Sequence, residues 1–326
     1  TDATTGCSQW QGSNALISVT AAPTAYALTG GGSYCEGSDG LHIGTAGSDA
    51  GTLYQLYRGG TPVGASILSS GGPIDFGTFT AAGAYTAIAT NLSGCTANMT
   101  GSVTIVINPL PAINTVTGGG GFCDGGAGVH IGLSFSTPGI TYSLIYAGSG
   151  TVTTMGGSGS GLDFGLQAVG GTYTVLAVNN TTFCSSNMAG SATITVNPIP
   201  DGSYFVLGSG SYCSGDAGRD ISTTGSEFGI DYQLFKGTST IGLPVSGTGG
   251  GLDFGNFTSP ATYTVKATNP VTGCNSWLAS SAVISVNPLP GLHSVTGGGN
   301  YCAGGAGAAV GLNGSNTGIL YQMILG

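Results

Sequence analysis

Cysteine is the residue type with the most chemistry to offer here, because eight cysteines fall in two alternating contexts. In the first context an aromatic residue precedes the cysteine and glycines follow two and five residues later, as at Cys35, Cys123, Cys213 and Cys302. The second context follows a small polar turn and contains Cys7, Cys95, Cys184 and Cys274. An even, periodic set without a Cys-x-x-Cys pair is typical of disulfides, which predict an oxidising, extracellular setting.

Two disulfide pairings fit the spacing. Pairing within repeats gives Cys35–Cys95, Cys123–Cys184 and Cys213–Cys274, separated by 60 or 61 residues, with Cys7 and Cys302 bonded outside this sequence. Pairing across linkers gives Cys7–Cys35, Cys95–Cys123, Cys184–Cys213 and Cys274–Cys302, separated by 28 or 29 residues. We favour the first, because the second requires the chain to double back after a strand, a proline linker and another strand. A closed loop of ~60 residues would stabilise a repeat by about 4 kcal/mol.

Other side chains give no pattern for catalysis. His42 and His130 occupy equivalent positions, seven residues after a cysteine, but Asp220 and Ala309 stand there in the other copies. We therefore predict a solvent-facing strand position. Acidic residues near the first-context cysteines are not matched in the fourth copy, so loop solvation is favoured over a calcium site; they are Glu36, Asp39, Asp124 and Asp216. The sequence predicts no catalytic, cofactor-binding or metal-binding residue, and a protein that is not an enzyme.

The cysteines recur every 88 to 90 residues, and other markers keep that period. Asn-Pro-Leu-Pro at 108–111 and 287–290, and Asn-Pro-Ile-Pro at 197–200, read as stiff linkers. The predicted organisation is a C-terminal fragment of a repeat (1–23), three complete repeats (24–111, 112–200 and 201–290) and an N-terminal fragment of a repeat (291–326). We expect this to be part of a longer tandem array.

Each repeat of ~89 residues alternates apolar and polar residues in short runs bounded by glycine, asparagine or proline. About seven strands without an amphipathic helix predict an all-β fold of tandem immunoglobulin-like sandwiches joined by short proline linkers. Tyrosines at the third-strand position should anchor the core: Tyr54, Tyr142, Tyr232 and Tyr321. Tyrosines early in the penultimate strand suggest a tyrosine corner: Tyr85, Tyr173 and Tyr263. The aspartates of a repeated Asp-Phe-Gly turn should cap the backbone: Asp75, Asp163 and Asp253.

Composition excludes several classes of protein. Glycine supplies 64 of the 326 residues and charged residues only 5%, while 40% of the chain is hydrophobic. Disordered chains have the reverse pattern, with low hydrophobicity and high charge. A formal net charge of −9 with four basic residues argues against a nucleic-acid partner. No run of ~18 apolar residues is present, so no transmembrane helix is expected.

Taken together, the motifs resemble the tandem immunoglobulin-like repeats of very large surface and secreted proteins of Bacteroidota, including gliding-motility adhesins. The likeness lies in Tyr212-Cys213-Ser214-Gly215, Tyr232, the run 261–265, Gly273-Cys274 and the run 286–290. It implies export, by the type IX route, and display at the cell surface. The expected function is a non-enzymatic structural or adhesive rod or filament whose partners are copies of itself or neighbouring repeats. The alternative is a module that binds surface glycans, with the equivalent Trp10 and Trp277 as candidate contacts.

Overall fold

A computed structural model describes residues 1–9, 12–13 and 15–325. All regular elements among these residues are β-strands. None of the described segments forms a helix long and apolar enough to cross a membrane. This agrees with the strand-like alternation of the sequence, in which side chains of period 2 place apolar residues on one face of each strand.

The first repeat contains nine strands in two sheets: β1 (Leu28–Gly30), β2 (Gly32–Cys35), β3 (Leu41–Thr45), β4 (Leu53–Arg58), β5 (Thr61–Leu68), β6 (Ile74–Phe79), β7 (Gly83–Thr90), β8 (Thr96–Asn98) and β9 (Val103–Asn108). One sheet has the order β1-β3-β6. The other has the order β2-β9-β7-β4-β5, with β8 paired to β7. All pairs are antiparallel except β2 with β9, which run parallel.

The same series of strands recurs along the chain. The second repeat contains β10 (Val116–Gly118), β11 (Gly120–Cys123), β12 (Val129–Leu133), β13 (Ile140–Tyr146), β14 (Gly150–Gly156), β15 (Leu162–Gln167), β16 (Gly171–Asn179), β17 (Ser185–Asn187) and β18 (Ala192–Asn197). The third contains β19 (Val206–Leu207), β20 (Gly210–Cys213), β21 (Arg219–Thr223), β22 (Asp231–Lys236), β23 (Ser239–Ser246), β24 (Asp253–Phe257), β25 (Ala261–Thr268), β26 (Asn275–Trp277) and β27 (Ala282–Asn287). β28 (Val295–Gly297) and β29 (Val310–Leu312) form a two-stranded sheet.

The third repeat reproduces the first, with sheets β19-β21-β24 and β20-β27-β25-β22-β23. In the second repeat β13 pairs with β14 and β16, while β11 runs parallel to β18. These are immunoglobulin-like sandwiches in tandem, as the sequence predicts. Each complete repeat has nine strands rather than about seven, because the first strand is divided between the two sheets and a short strand follows the second-context cysteine.

Glycine divides the first strand. Gly30, Gly31 and Gly32 all have positive φ, between β1 in one sheet and β2 in the other. A Cβ at Gly30 would lie 2.1 Å from the carbonyl oxygen of His42, so only glycine fits there. The equivalent Gly118 and Gly208 meet the same obstruction. The chain therefore crosses between sheets at this point and carries the following cysteine to the edge beside the last strand.

Tyrosines form the centre of each sandwich. Tyr54, Tyr142 and Tyr232, predicted on a third strand, lie on β4, β13 and β22 and are fully buried, whereas Tyr321 is 40% exposed. Each fully buried ring contributes ~1.5–3 kcal/mol of apolar transfer free energy, and its hydroxyl accepts a backbone N–H, as from Asp49 to Tyr54 at 2.8 Å.

The tyrosines predicted early in a penultimate strand lie near the start of β7, β16 and β25 and are also buried: Tyr85, Tyr173 and Tyr263. The hydroxyl of Tyr85 donates to the carbonyl of Ala81 at 2.7 Å, and that of Tyr263 to Ser259 at 3.0 Å. These two bonds to a carbonyl four residues upstream have the geometry of a tyrosine corner.

The chain divides into two compact units. The first comprises Thr1–Gly118, His130–Gly165 and Gly171–Ala192. The second comprises Gly119–Val129, Leu166–Gly170 and Thr193–Gly326. The first unit thus contains the first repeat with most of the second, and the second unit contains the third repeat with the β11–β18 pair. Each disulfide described below lies inside one unit.

Candidate functional site at the repeat junctions

The disulfides join consecutive repeats. Cys35 bonds to Cys184, 149 residues away, and Cys123 bonds to Cys274, 151 residues away, each with a Cα–Cα distance of 5.5 Å. The predicted within-repeat pairs Cys35–Cys95, Cys123–Cys184 and Cys213–Cys274 are therefore wrong. All four alternative pairs across the linkers are wrong too: Cys7–Cys35, Cys95–Cys123, Cys184–Cys213 and Cys274–Cys302. In both bonds the first-context cysteine of one repeat pairs with the second-context cysteine of the next.

Strand direction explains why a repeat cannot bond its own two cysteines. Cys35 lies beside Asn108 at the end of β9, in parallel register. Because β7 runs antiparallel to β9, that end of the sheet lies before the start of β7, whereas Cys95 follows the end of β7. The eight residues of β7 span ~26 Å. A disulfide requires Cα atoms within ~7 Å, so the two cysteines of one repeat are too far apart to bond.

A backbone carbonyl marks the junction between the first and second repeats. The carbonyl oxygen of Asn108 accepts the N–H of Glu36 at 2.9 Å, which fixes the residue after Cys35. The Sγ of Cys184 lies 4.0 Å from the same oxygen. At the next junction Asn197 accepts from Asp124, and the Sγ of Cys274 lies 3.9 Å from Asn197. We call this arrangement of a first-context cysteine, the last-strand asparagine and a second-context cysteine the clasp.

An asparagine-capped turn presents each second-context cysteine. The side-chain oxygen of Asn179 accepts the N–H groups of Thr181 and Thr182, and its backbone N–H donates to the carbonyl of Cys184 at 2.9 Å. The turns at Asn91 and Asn269 use equivalent bonds. An asparagine four or five residues before the cysteine in every complete repeat is a signal that our sequence reasoning missed.

Burial distinguishes the bonded turns. Cys184 and Cys274 are 1% and 0% exposed, whereas the unbonded Cys95 is partly exposed. A loop of 149 residues closed by a disulfide restricts the unfolded chain by about 5 kcal/mol in the chain-entropy model. Burial also shields the Sγ atoms of Cys184 and Cys274 from thiols in solution, whereas their partners Cys35 and Cys123 are half-buried. Each clasp is thus a covalent joint between two domains in which one of the two cysteines is buried.

One of the clasp turns carries backbone strain. Phe183 has φ of 59° and is 77% exposed, whereas the equivalent residues Gly94 and Gly273 are glycines with positive φ. A non-glycine residue in this left-handed region costs ~1–2 kcal/mol. The exposed ring recovers little of that cost by burial, and it stands next to bonded Cys184.

The Asp-Phe-Gly aspartates lie on the surface of the smaller sheets. Each accepts the N–H two residues on, at 2.7–2.8 Å, as a turn cap; they are Asp75, Asp163 and Asp253. Asp75 and Asp163 also bind His42 and His130, each at 2.8 Å. The Gly77 N–H and then His42 lower the pKa of Asp75. These histidines are more than 60% exposed, which suits the predicted solvent-facing position.

The third repeat replaces the histidine with a second acid. Partial desolvation and then the hydrogen bond with Asp253 raise the pKa of Asp220. No group of three or more histidine, cysteine or acidic side chains among the described residues could hold a metal ion. Asp124 and Asp216, from the acidic loops, instead accept backbone N–H groups of their own turns.

Two neighbouring side chains contact the ring of Trp277, one of the two tryptophans predicted to contact glycans. Trp277 is 51% exposed, with the ring of Phe235 edge-on at 5.0 Å and the Lys266 ammonium 5.7 Å from its centroid. Trp10 lies outside the described residues.

No protein-family model and no curated protein matches this chain. Among solved structures, a bacterial ice-binding adhesin of 1.5 MDa is 12% identical, with 82% of this chain and 99% of that chain covered at a TM-score of 0.35. The mouse nectin-like molecule 4 ectodomain, Ig1–Ig3, is 13% identical, covering 82% and 97% at 0.33. Sidekick-1 immunoglobulin domains 1–4 are 12% identical, covering 85% and 80% at 0.25. At these identities and scores the likeness carries no inference about function.

Proposed function

We propose that this chain is part of a non-enzymatic, extracellular structural or adhesive repeat protein, in which disulfide clasps join immunoglobulin-like domains into a rod or filament at a cell surface. The observation that carries the proposal is the pair of bonds between consecutive repeats, Cys35–Cys184 and Cys123–Cys274. A disulfide within a domain stabilises only that domain. A disulfide between domains limits their relative motion, which matters when the function is to hold a distance or transmit a force.

Composition supports the same proposal. Only 17 of the 326 residues are charged, four of them basic, so trypsin-like proteases have few sites and the surface is polar mainly through uncharged side chains. Disulfides persist outside the cell and are reduced in most cytosols, which favours an exported protein. The proposal includes display on a Bacteroidota cell after export by the type IX route, and this part of it rests on the sequence resemblance described above.

Small-angle scattering on the oxidised chain tests the structural role. We expect a narrow distribution of maximum dimension that broadens when both clasps are removed by Cys35→Ser, Cys184→Ser, Cys123→Ser and Cys274→Ser. The matched control replaces the four unbonded cysteines with serine and should scatter like the parent. Equal flexibility of the parent and the clasp-free variant would contradict a role in fixing the domains.

Glycan binding is the second candidate, and it rests on the half-exposed indole of Trp277. Aromatic faces pack against sugar rings in many binding sites, and Phe235 orients this one. A glycan array probed with the parent chain and with Trp277→Ala tests the idea. Binding lost in the variant supports an adhesin module, whereas an array without signal for the parent supports a passive spacer.

A further inference from the structure

The clasps follow one rule along the chain, and under this rule the first and the third repeat each keep one unbonded cysteine. Each complete repeat contains one cysteine of each context, and bonds run forward from the first-context cysteine of one repeat to the second-context cysteine of the next. The first repeat therefore uses Cys35 but leaves Cys95, and the third uses Cys274 but leaves Cys213.

Cys213 has the surroundings of a bonded first-context cysteine. It lies at the end of β20 in parallel register with Asn287, as Cys35 lies beside Asn108 and Cys123 beside Asn197. The N–H of Ser214 donates to the Asn287 carbonyl at 2.9 Å, which matches the two bonded junctions. Cys213 is exposed, so its sulfur is open to a partner.

Cys95 has the surroundings of a bonded second-context cysteine. Its turn is capped by Asn91, and its Sγ lies 3.7 Å from the carbonyl oxygen of Thr20. Thr20 is the repeat equivalent of Asn108 and Asn197, whose carbonyls lie 4.0 and 3.9 Å from the bonded Cys184 and Cys274. The side chain of Asn91 also donates to the Ala21 carbonyl at 2.9 Å, which fixes the turn against this segment.

We propose that Cys95 and Cys213 each form one half of a further clasp and are each bonded, in the working protein, to a cysteine of an adjoining repeat of this kind. Cys213 takes a second-context cysteine, and Cys95 takes a first-context cysteine. The inference rests on the proposed function only in requiring an oxidising compartment. Each bond forms when two thiols lose two protons and two electrons to a disulfide oxidant, such as oxidised glutathione, which leaves as two thiols after a mixed-disulfide step.

A fusion that completes the fourth repeat tests Cys213. Residue 326 is the repeat equivalent of residue 237, so a second copy of residues 238–290 is fused after it and the full chain is oxidised with a glutathione redox buffer. Alkylation and peptide mass spectrometry then identify the bonds. We expect Cys213 to bond the cysteine of the added segment that corresponds to Cys274, while Cys35–Cys184 and Cys123–Cys274 persist. The matched control, Cys213→Ser in the same fusion, should leave the added cysteine as a free thiol.

A second fusion keeps the proposal falsifiable if the completed fourth repeat fails to fold. Residue 1 is equivalent to residue 268, so a second copy of residues 201–267 is placed before it, and Cys95 should bond the added copy of Cys213. A free thiol at Cys95 in this fusion, or a bond from Cys302 to the added cysteine in the first, overturns the rule. The same digest also maps the bonds of the parent chain. Loss of Cys35–Cys184 would contradict the proposed function, whereas failure of the added bond alone would contradict only the inference about Cys95 and Cys213.

Discussion

Stretching single oxidised molecules between their ends should release less than half of the chain. The two closed loops interleave, because Cys123 lies inside the loop from Cys35 to Cys184. The shortest covalent path runs about 34 residues to Cys35, crosses to Cys184, returns about 61 residues to Cys123, crosses to Cys274 and continues for about 52 residues. Full extension is thus about 147 residues or ~510 Å, against ~1,140 Å for the chain without disulfides.

Because the two loops interleave, removing one clasp lengthens the fully extended chain only slightly, whereas removing both lengthens it greatly. Replacing Cys35 and Cys184 with serine leaves the other loop closed and lengthens the path by only about 27 residues, or ~95 Å. Removing Cys123 and Cys274 instead adds about 29 residues. Removing both pairs adds about 178 residues, or ~620 Å, which is more than three times the sum of the two single effects.

Optical tweezers with peptide-tag handles at both ends measure these lengths directly. The four unbonded cysteines are replaced with serine in every variant, so that only the clasps differ. An increase of about 61 residues, or ~210 Å, on replacing Cys35 and Cys184 would refute the reasoning. That value is expected if Cys184 bonds Cys123 within its own repeat, because Cys95 is already serine and only the loop from 123 to 184 would then open.

Three further experiments test the clasp, its turn and the surface acids. A protease site inserted after Pro111 and cut to completion should leave one band of the parent mass before reduction and two bands after it; two bands without reductant would contradict the bridged linker. Phe183→Gly should relieve left-handed strain and raise the melting temperature of its repeat by roughly 2–6 °C, or about 0.5–1 kcal/mol, in scanning calorimetry. Gly273→Phe should lower the melting temperature of the third repeat by a similar amount. Unchanged melting temperatures in both variants would exclude backbone strain at this position. Because the pKa of Asp220 is raised in the folded state, its contribution to stability is present at low pH and is lost as the pH rises through that raised pKa. Asp220→His should remove this decline in melts between about pH 3 and 6, since it pairs an imidazole with Asp253; an unchanged profile would show that the two acids do not interact.

Local patterns in the sequence are enough to predict the fold and much of the core. Alternation identifies the third strand, and the spacing from the Asp-Phe-Gly turn to Tyr85 places that ring early in the penultimate strand, where it is buried. The strand that carries Cys35 is missed, because Gly32–Cys35 is short, begins with glycine and gains its regularity only by pairing with β9. A short strand of this kind has no alternation of its own to detect.

The disulfide pairing could not be predicted from spacing alone. Separation along the chain says that Cys35 and Cys95 are 60 residues apart, but not that β7 places them at opposite ends of one sheet. That fact requires the antiparallel register of β7 with β9, which is a property of the assembled sheet. The same register puts Cys35 at the end of the sandwich where the next repeat begins, so the partner of Cys35 lies in another copy.

The abundance of glycine and the position of the disulfides are connected. Glycine lowers the stability of a small sandwich by increasing the entropy of its unfolded chain, and a repeat of ~90 residues has only a thin core. A bond within the repeat would compensate for this, yet the cysteines are placed at the two ends of the sheet instead. Burial of fully enclosed tyrosines such as Tyr54 and Tyr85 must then supply the stability of the single domain. The cysteines instead limit how far the chain extends when a repeat unfolds. Packing within a domain and extension of the array thus depend on different residues, so a substitution of a core tyrosine should leave the covalent joints in place.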